Sequence, residues 1–302
     1  MMELKDKVAV VTGSGQGIGK AIAISLAEKG VKVVVNNRNP RPAEMSAEET
    51  ARAIVEAGGE AIAVYGDVSQ IDFCEKLINT AINKWGTIDI LINNAGINQD
   101  RMVWNMNEED WDYVMAVNLK GTFGCTKFAV PYMRQKGSGR IINMASQAGL
   151  DGNAYMPAYS AAKAGIVGFT KSCALALGRY GITVNALCPQ ADTRMWRSAT
   201  IEQAREMGVL RGLITPEEVT KIPEDEVYTR IFGSTMDIAP IVLYLASDEA
   251  ASINGQVFFA TKGRIGLYGP WTQVKSLDKR CRWTVEELST IIPTWVSDNT
   301  IK

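Results

Sequence analysis

Val8-Ala9-Val10-Val11-Thr12-Gly13-Ser14-Gly15-Gln16-Gly17-Ile18-Gly19 sets a short, β-branched apolar run directly against a cluster of glycines. The run has the composition of a strand buried on both faces, as in a parallel sheet. From Lys20 to Lys29 the apolar residues Ile22, Ala23, Leu26 and Ala27 recur at helical spacing. A second run, Val31-Lys32-Val33-Val34-Val35, completes the series strand, glycine turn, helix, strand. Glycines at such a turn let the backbone approach a pyrophosphate, whose charge the helix N-terminus stabilises. A glycine cluster alone is often only a tight turn. Here its flanks point to a dinucleotide site, with Gly13, Gln16, Gly17, Ile18 and Gly19 as candidate residues.

The alternation persists along the chain. Ala61 to Tyr65 reads as a third strand ending at Gly66-Asp67-Val68, and a helix follows from about Ser69 to Lys84. A fourth strand, Ile88 to Ile92, ends in Asn93-Asn94-Ala95-Gly96, and a long helical pattern from about Asn107 to Arg134 contains Asn118. The fifth strand, Arg140 to Met144, delivers Ser146, and the sixth, Ile182 to Leu187, ends at Pro189. This pattern implies an α/β fold, a doubly wound parallel sheet of the Rossmann kind, in which ligands bind beyond the C-terminal ends of the strands. The expected layout is a single domain over residues 1–260 with a C-terminal extension over 261–302.

Tyr159 and Lys163 stand four apart in Tyr159-Ser160-Ala161-Ala162-Lys163, where alanines favour helix, so the two side chains share a face. An ammonium beside a phenol favours the phenolate and is expected to lower its pKa from about 10 toward neutrality. The chain has no histidine, which removes the commonest alternative general base. Tyr-x-x-x-Lys by itself is also ordinary surface chemistry, a solvated lysine beside a half-buried tyrosine. Asn118 is equally open, since a mid-helix asparagine is either satisfied by backbone and water or positioned for chemistry.

Composition narrows the function classes. With 302 residues, 46% hydrophobic and 22% charged, the chain can bury a substantial core. Thirty-two Lys plus Arg against thirty-three Asp plus Glu leave no net field for nucleic acid or an anionic membrane, so a small-molecule substrate is expected. Five cysteines, odd in number and without C-x-x-C spacing, support neither a disulfide framework nor a metal site. The start, Met-Met-Glu-Leu-Lys-Asp-Lys, carries no apolar signal region, and no apolar run approaches the roughly 20 residues of a membrane span. A cytoplasmic protein is the expectation.

Taken in order, Thr12-Gly13-x3-Gly17-Ile18-Gly19, Asp67-Val68, Asn93-Asn94-Ala95-Gly96, Asn118, Ser146 placed thirteen before Tyr159, and Lys163 resemble the motifs of the classical short-chain dehydrogenase/reductases, over roughly Lys5 to Phe259. The resemblance implies a nicotinamide-dependent alcohol dehydrogenase or ketoreductase. Tyr159 would exchange the proton with the substrate oxygen, Ser146 would polarise that oxygen, and Lys163 would lower the tyrosine pKa and hold the nicotinamide ribose. Asn118 would support a water-linked proton path. Asp67 and Val68 would meet the adenine, Asn94 and Gly96 the adenosine side, and Thr193 the carboxamide, with Ala95 and Pro189 also against the cofactor. The family also implies a homodimer or homotetramer, through the helices at Asn107 to Arg134 and Tyr159 to Arg179.

The end of the second strand bears on the cofactor. An acidic residue there would select the free 2′-OH of NAD, and this chain has Asn36-Asn37-Arg38. Without a carboxylate to repel a 2′-phosphate, and with Arg38 available to bind it, NADP(H) is favoured over NAD(H). Arg38 solvating its loop is the competing reading. The loop continues through Asn39-Pro40-Arg41-Pro42 before Ser46-Ala47-Glu48-Glu49 signals a capped helix.

After the sixth strand the chain reads Pro189-Gln190-Ala191-Asp192-Thr193-Arg194-Met195 where many family members have Pro-Gly. That run, and the tail with its Trp283-Thr284-x-Glu286-Glu287-Leu288, are similar to the dehydrogenase domain of peroxisomal multifunctional enzyme type 2 and its bacterial relatives, which implies a (3R)-3-hydroxyacyl-CoA substrate. A cyclic alcohol such as a steroid, terpene or alicyclic diol is the alternative, and a non-catalytic nucleotide-binding subunit a third reading. Residues 196–235 read as a substrate lid with its own helix start at Thr215-Pro216-Glu217-Glu218, and Met195, Trp196 and Leu210 could form its inner face. Met102, Met106, Met144 and Met156 either line a substrate pocket or fill core. Trp271, Trp283 and Trp295 in the tail either add to an interface or pack within one subunit.

Overall fold

In the computed structural model, Val8–Val11 forms strand β1, buried along its whole length. The residues described are 4–39, 46–194, 197, 200–210, 212–269, 276–277, 279 and 282–297, without the side chains of 293–297. After β1 come β2 (Lys32–Asn37), β3 (Ala61–Tyr65), β4 (Ile90–Asn93), β5 (Gly139–Met144), β6 (Ile182–Pro189), β7 (Val257–Thr261) and β8 (Arg264–Leu267). They lie in one sheet in the order β3-β2-β1-β4-β5-β6-β7-β8. All neighbours pair in parallel except β7 and β8. The winding reverses between β1 and β4, which opens a crevice at their C-terminal ends.

Helices cover both faces, which is why the inner strands are apolar without alternation. On one face α1 (Gly17–Ala27) contributes Ile22 and Leu26, α2 (Ala47–Glu56) contributes Ile54, and Ala239–Ala246 contributes Val242 and Leu245. On the other, α3 (Ile71–Trp85) buries Leu77 and Ile78 against Val8, Val10 and Leu91. The long helical pattern from Asn107 is interrupted: α4 (Glu108–Met115) passes through a π-helical turn, Ala116–Lys120, into α5 (Gly121–Lys136). A short turn of helix, α6 (Ala148–Asp151), precedes α7 (Pro157–Leu177).

Two site-bearing helices are tied to the sheet by buried amides. Asn93 Nδ2 donates to Asn143 Oδ1 at 2.8 Å and to Thr126 Oγ1 of α5 at 3.1 Å. Asn143 Nδ2 in turn donates to Thr170 Oγ1 of α7 at 2.9 Å. The two asparagines face each other in the β4–β5 register, so one polar chain fixes both helices against the strands that end at the crevice.

Between β6 and β7 lie α8 (Ile201–Leu210), α9 (Pro216–Val219) and α10 (Val227–Phe232), followed by α11, the Ala239–Ala246 helix already placed. Thr215 and Glu218 form the expected reciprocal cap of α9, and Ser46 caps α2. Residues Ala204, Val219, Ile222, Val227, Ile231 and Phe232 make a small core of their own.

The first compact unit extends to Tyr268, eight residues past the expected limit at 260, because a two-residue turn with Gly263 at φ +64° returns the chain as antiparallel β8. The second unit, from Gly269, holds α12 (Val285–Ser297), started by a box in which Glu287 N donates to Thr284 Oγ1 at 3.2 Å and Thr284 N to Glu287 Oε2 at 2.9 Å. In it the Lys279 ammonium stands 5.3 Å from the Trp283 ring centroid. Trp271 and the Trp295 side chain, like Pro40, Arg41 and Pro42, lie outside the described residues.

The buried amide chain gives a stability prediction. Asn143→Ala removes two buried hydrogen bonds and strands a partner at each end, at a cost of about 2–4 kcal/mol. In urea denaturation the midpoint should fall with an unchanged slope. A loss below about 0.5 kcal/mol would mean that water replaces the amide without penalty.

Candidate active site

The crevice begins where Thr12 leaves β1. Its hydroxyl accepts the backbone N–H groups of Asn94 and Ala95, each at 2.9 Å, so the ends of β1 and β4 are joined by one side chain. Asn94 returns the contact, its Nδ2 donating to Thr12 O at 2.8 Å and Gly13 O at 3.0 Å. From the other side Asn37 Oδ1 accepts Gly15 N at 2.8 Å, and Asn36 N donates to Ser14 Oγ at 3.0 Å. The glycine loop is thus held open by the strands flanking it. Gly17 has φ +58°, and a Cβ there would have Thr193 Cγ2, at 3.9 Å, as its only neighbour within 4 Å. Any other residue would be strained and would project into open space. The N-terminus of α1 carries no side-chain cap, so its N–H groups point unshielded into that space.

The space is a cavity of about 710 Å³ that runs from the glycine loop to Tyr159. At one end it is lined by Arg38, Asp67 and Val68, and at the other by Ser146, Tyr159 and Lys163. Of the predicted cofactor residues, Gly13, Gln16, Gly17, Ile18, Gly19, Asn94, Ala95, Gly96, Pro189 and Thr193 also line it. Asn118 stands just behind the wall: a Cβ on Gly96 would come within 2.7 Å of Asn118 Oδ1 and 3.5 Å of Lys163 Nζ.

The π-helical turn explains the posture of Asn118. Its Nδ2 donates to Val114 O, one turn back, and to Ile97 O, both at 2.9 Å, competing with the helical backbone for an acceptor. Its Oδ1 is buried and has no partner. Ser146 lies beyond the end of β5, its hydroxyl accepts Ala148 N at 3.2 Å, and it acts on the Tyr159 phenol by lowering its pKa.

The electrostatics differ from the expectation. Lys163 is 3% exposed, and its ammonium donates to Met144 O at 2.6 Å while lying 5.4 Å from the Tyr159 ring centroid. Burial pushes the Tyr159 phenol up to about 12, only partly opposed by Ser146, and brings the Lys163 ammonium down to about 8. The lysine does not draw the phenol toward neutrality, because withdrawal from water dominates the shift of each group.

Other expectations divide. Met144 and Met156 line the cavity, whereas Met106 packs beside Val114 and Ala158, and Met102 precedes a short 3-10 turn. Leu210 is 78% exposed, and Met207, one turn earlier on α8, is the residue that reaches the cavity. Met195 and Trp196 lie outside the described residues. Gln190 is buried off the cavity with both amide atoms unpaired. Tyr113, Asn98 and Asn153 line the cavity without having been foreseen.

The depressed lysine gives a pH prediction. Its folded pKa of about 8 lies below its ordinary 10.5, so the protonated form opposes folding fully below pH 8 and ceases to do so as pH rises toward 10.5. The stability of Lys163→Met relative to the parent should therefore decline between pH 7 and 10, by on the order of 2–3 kcal/mol. Parallel denaturation profiles at the two pH values would remove the buried charge from the account.

The short chain dehydrogenase family profile matches residues 7–204. The hydroxyacyl-CoA dehydrogenase ChsB1 of Mycobacterium tuberculosis is 40% identical over 277 residues, covering 89% of this chain and 81% of the relative. A 3-oxoacyl-[acyl-carrier-protein] reductase of Synechocystis is 38% identical over 270 residues, covering 88% and 99%. Among solved structures, a short chain dehydrogenase from Mycobacterium avium superposes with a TM-score of 0.82 at 35% identity, covering 98% of this chain and 96% of that one. A chain that joins this sheet, this glycine loop and a Ser146–Tyr159–Lys163 group in one cavity, and matches these proteins over most of its length, belongs to the short chain dehydrogenases and is a nicotinamide-dependent oxidoreductase.

Proposed function

We propose that the chain interconverts the 3-keto and 3-hydroxy groups of an acyl thioester, with NADP(H) as the preferred cofactor. The observation that carries this reading is the single cavity with Ser146, Tyr159 and Lys163 at one end and the glycine loop with Arg38 at the other. Two relatives named above, a hydroxyacyl-CoA dehydrogenase and a 3-oxoacyl-[acyl-carrier-protein] reductase, carry names of acyl-thioester oxidoreductases, which support that substrate class.

The residues fit a nicotinamide dinucleotide. The uncapped start of α1 and the open side of Gly17 suit a pyrophosphate, Asp67 and Val68 an adenine, and Thr193 with Lys163 the nicotinamide riboside. When bound, the nicotinamide supplies or accepts the hydride. Tyr159, protonated at neutral pH, gives its phenolic proton to the substrate oxygen during reduction, and Ser146 donates a hydrogen bond to the same oxygen. The nearby Lys163 ammonium stabilises the phenolate left behind. Asn118 Oδ1, unpaired behind Gly96, accepts from a water that returns a proton through Lys163.

No carboxylate closes β2: Asn37 is engaged with Gly15 N, and Arg38 is exposed at the cavity rim with its guanidinium 5.7 Å from the Tyr113 ring centroid. A charge-assisted contact from Arg38 to a 2′-phosphate favours NADPH. Copies of the chain are proposed to associate through α5 and α7, where Phe123 and Phe169 meet edge to face and Leu175 is 88% exposed. A cytoplasmic location is part of the same proposal; separately, among the described residues no helix is long and apolar enough to cross a membrane.

The test is NAD(P)H oxidation with a short 3-ketoacyl-CoA. Tyr159→Phe should lower kcat by about 10²–10⁴ while leaving NADPH affinity within about twofold. Turnover of a panel of cyclic ketones with none of the thioester would replace the substrate class.

Arg38→Ala should raise the KM for NADPH by about tenfold or more and leave that for NADH unchanged, while Asn37→Asp should turn the preference toward NADH. Equal effects on both cofactors would detach Arg38 from the 2′-phosphate.

A further inference from the structure

Asp192 joins two parts of the cavity wall. It follows β6, and its neighbour Thr193 is the residue facing Gly17. Its carboxylate is only 10% exposed and fully engaged. Arg197 reaches it as a fork, Nε to Oδ1 at 2.8 Å and Nη2 to Oδ2 at 2.7 Å, and Thr229 Oγ1 of α10 donates to Oδ2 at 2.7 Å. The backbone adds a further tie, Asp192 N donating to Gly233 O at 2.8 Å just past α10, while Arg197 N closes a turn onto Thr193 O at 3.0 Å. The fork and hydroxyl together hold the carboxylate below its usual range.

Two residues beyond Thr229, Ile231 seats α8. A Cβ on Gly208 would come within 2.6 Å of Ile231 Cγ2, so the two helices touch at a point where only glycine fits. Met207, adjacent in the chain, is the α8 residue that lines the cavity. A continuous series of contacts thus runs from Thr193 through Asp192, Thr229, Ile231 and Gly208 to Met207.

We infer that Asp192 is a positioning residue for the substrate: by clasping Thr229 and Arg197 it holds α10, and through it α8 and Met207, in register with the loop that carries Thr193. The clasp accordingly sets the shape of the cavity where Met207 lines it, without touching substrate. The inference rests on the proposed acyl-thioester activity only for the choice of assay substrate.

Two variants and one control test it. Asp192→Ala and Thr229→Val should each raise the KM for a short 3-ketoacyl-CoA by about tenfold, with kcat within about threefold and the NADPH dissociation constant within about twofold. Both should also speed tryptic cleavage at Arg205, Lys221 or Arg230 by about tenfold, since the segment from α8 to α10 that bears these residues loses a tether. Thr229→Ser, which keeps the hydroxyl, should behave as the parent in both measurements. Unchanged proteolysis in both variants overturns the clasp, whatever the enzyme turns over. Faster proteolysis with an unchanged KM, or a KM and an NADPH dissociation constant that rise together with a falling melting temperature, overturns the positioning role. Should no thioester be turned over by the parent itself, the substrate reading fails, while the proteolysis comparison still decides the clasp.

Discussion

One hydroxyl carries the geometry on which the cavity depends. Thr12 Oγ1 accepts two consecutive backbone N–H groups, those of Asn94 and Ala95, across the gap where the sheet's winding reverses. A crevice at that point removes the backbone partners that neighbouring strands would otherwise supply, and buried donors left unpaired are costly. The amide of Asn94 completes the joint by serving the carbonyls of Thr12 and Gly13, which fixes the entrance to the glycine loop. Because these groups are largely withdrawn from water, each bond is worth more than it would be at the surface. The loop stays open because its polar atoms are satisfied from outside it.

At the opposite end withdrawal from water governs. Helical spacing correctly places Tyr159 and Lys163 on one face of α7, but spacing counts attraction and omits burial. In the folded chain α6 closes against α7 so tightly that a Cβ on Gly149 would lie 2.5 Å from Ala164 N, and the ammonium beneath turns to the carbonyl of Met144. The phenol is therefore kept protonated and the ammonium made easier to deprotonate. For the proposed chemistry this loads the tyrosine as an acid for reduction.

Much of this was legible. The β-branched run, the glycines and the reciprocal caps at Thr215 and Thr284 are local signals, and local signals survive folding. The residues expected around the cofactor line one cavity because most sit at a strand end or first helical turn, positions that the alternation itself defines. What escaped depends on contacts between distant segments. The π-helical turn at Asn118 needs the carbonyl of Ile97, twenty-one residues away, to hold the second amide proton. Met207 faces the cavity, and Leu210 does not, because Gly208 fixes the rotation of α8 against Ile231. Strand β8 is announced only by Lys262-Gly263, a pair too short to stand out without the register of β7.

The segment between β6 and α11 shows why a polar junction is needed there. Its small core is nearly separate from the cores that cover the sheet, with Leu213 packed against both it and the cluster around Val167 and Cys188. Apolar burial is non-directional, so so narrow a bridge leaves the rotation of α8 and α10 over the cavity weakly defined. Hydrogen bonds to a shielded carboxylate are directional and resist that rotation. A segment with an independent core and few directional tethers, the Asp192 clasp and the Thr261 hydroxyl on Phe232 O, can also change its apolar lining without disturbing the strand ends. In the proposed function, substrate choice and proton transfer thereby fall to parts of the chain that meet at Asp192, at the Thr261 hydroxyl bonded to Phe232 O, and at Leu213.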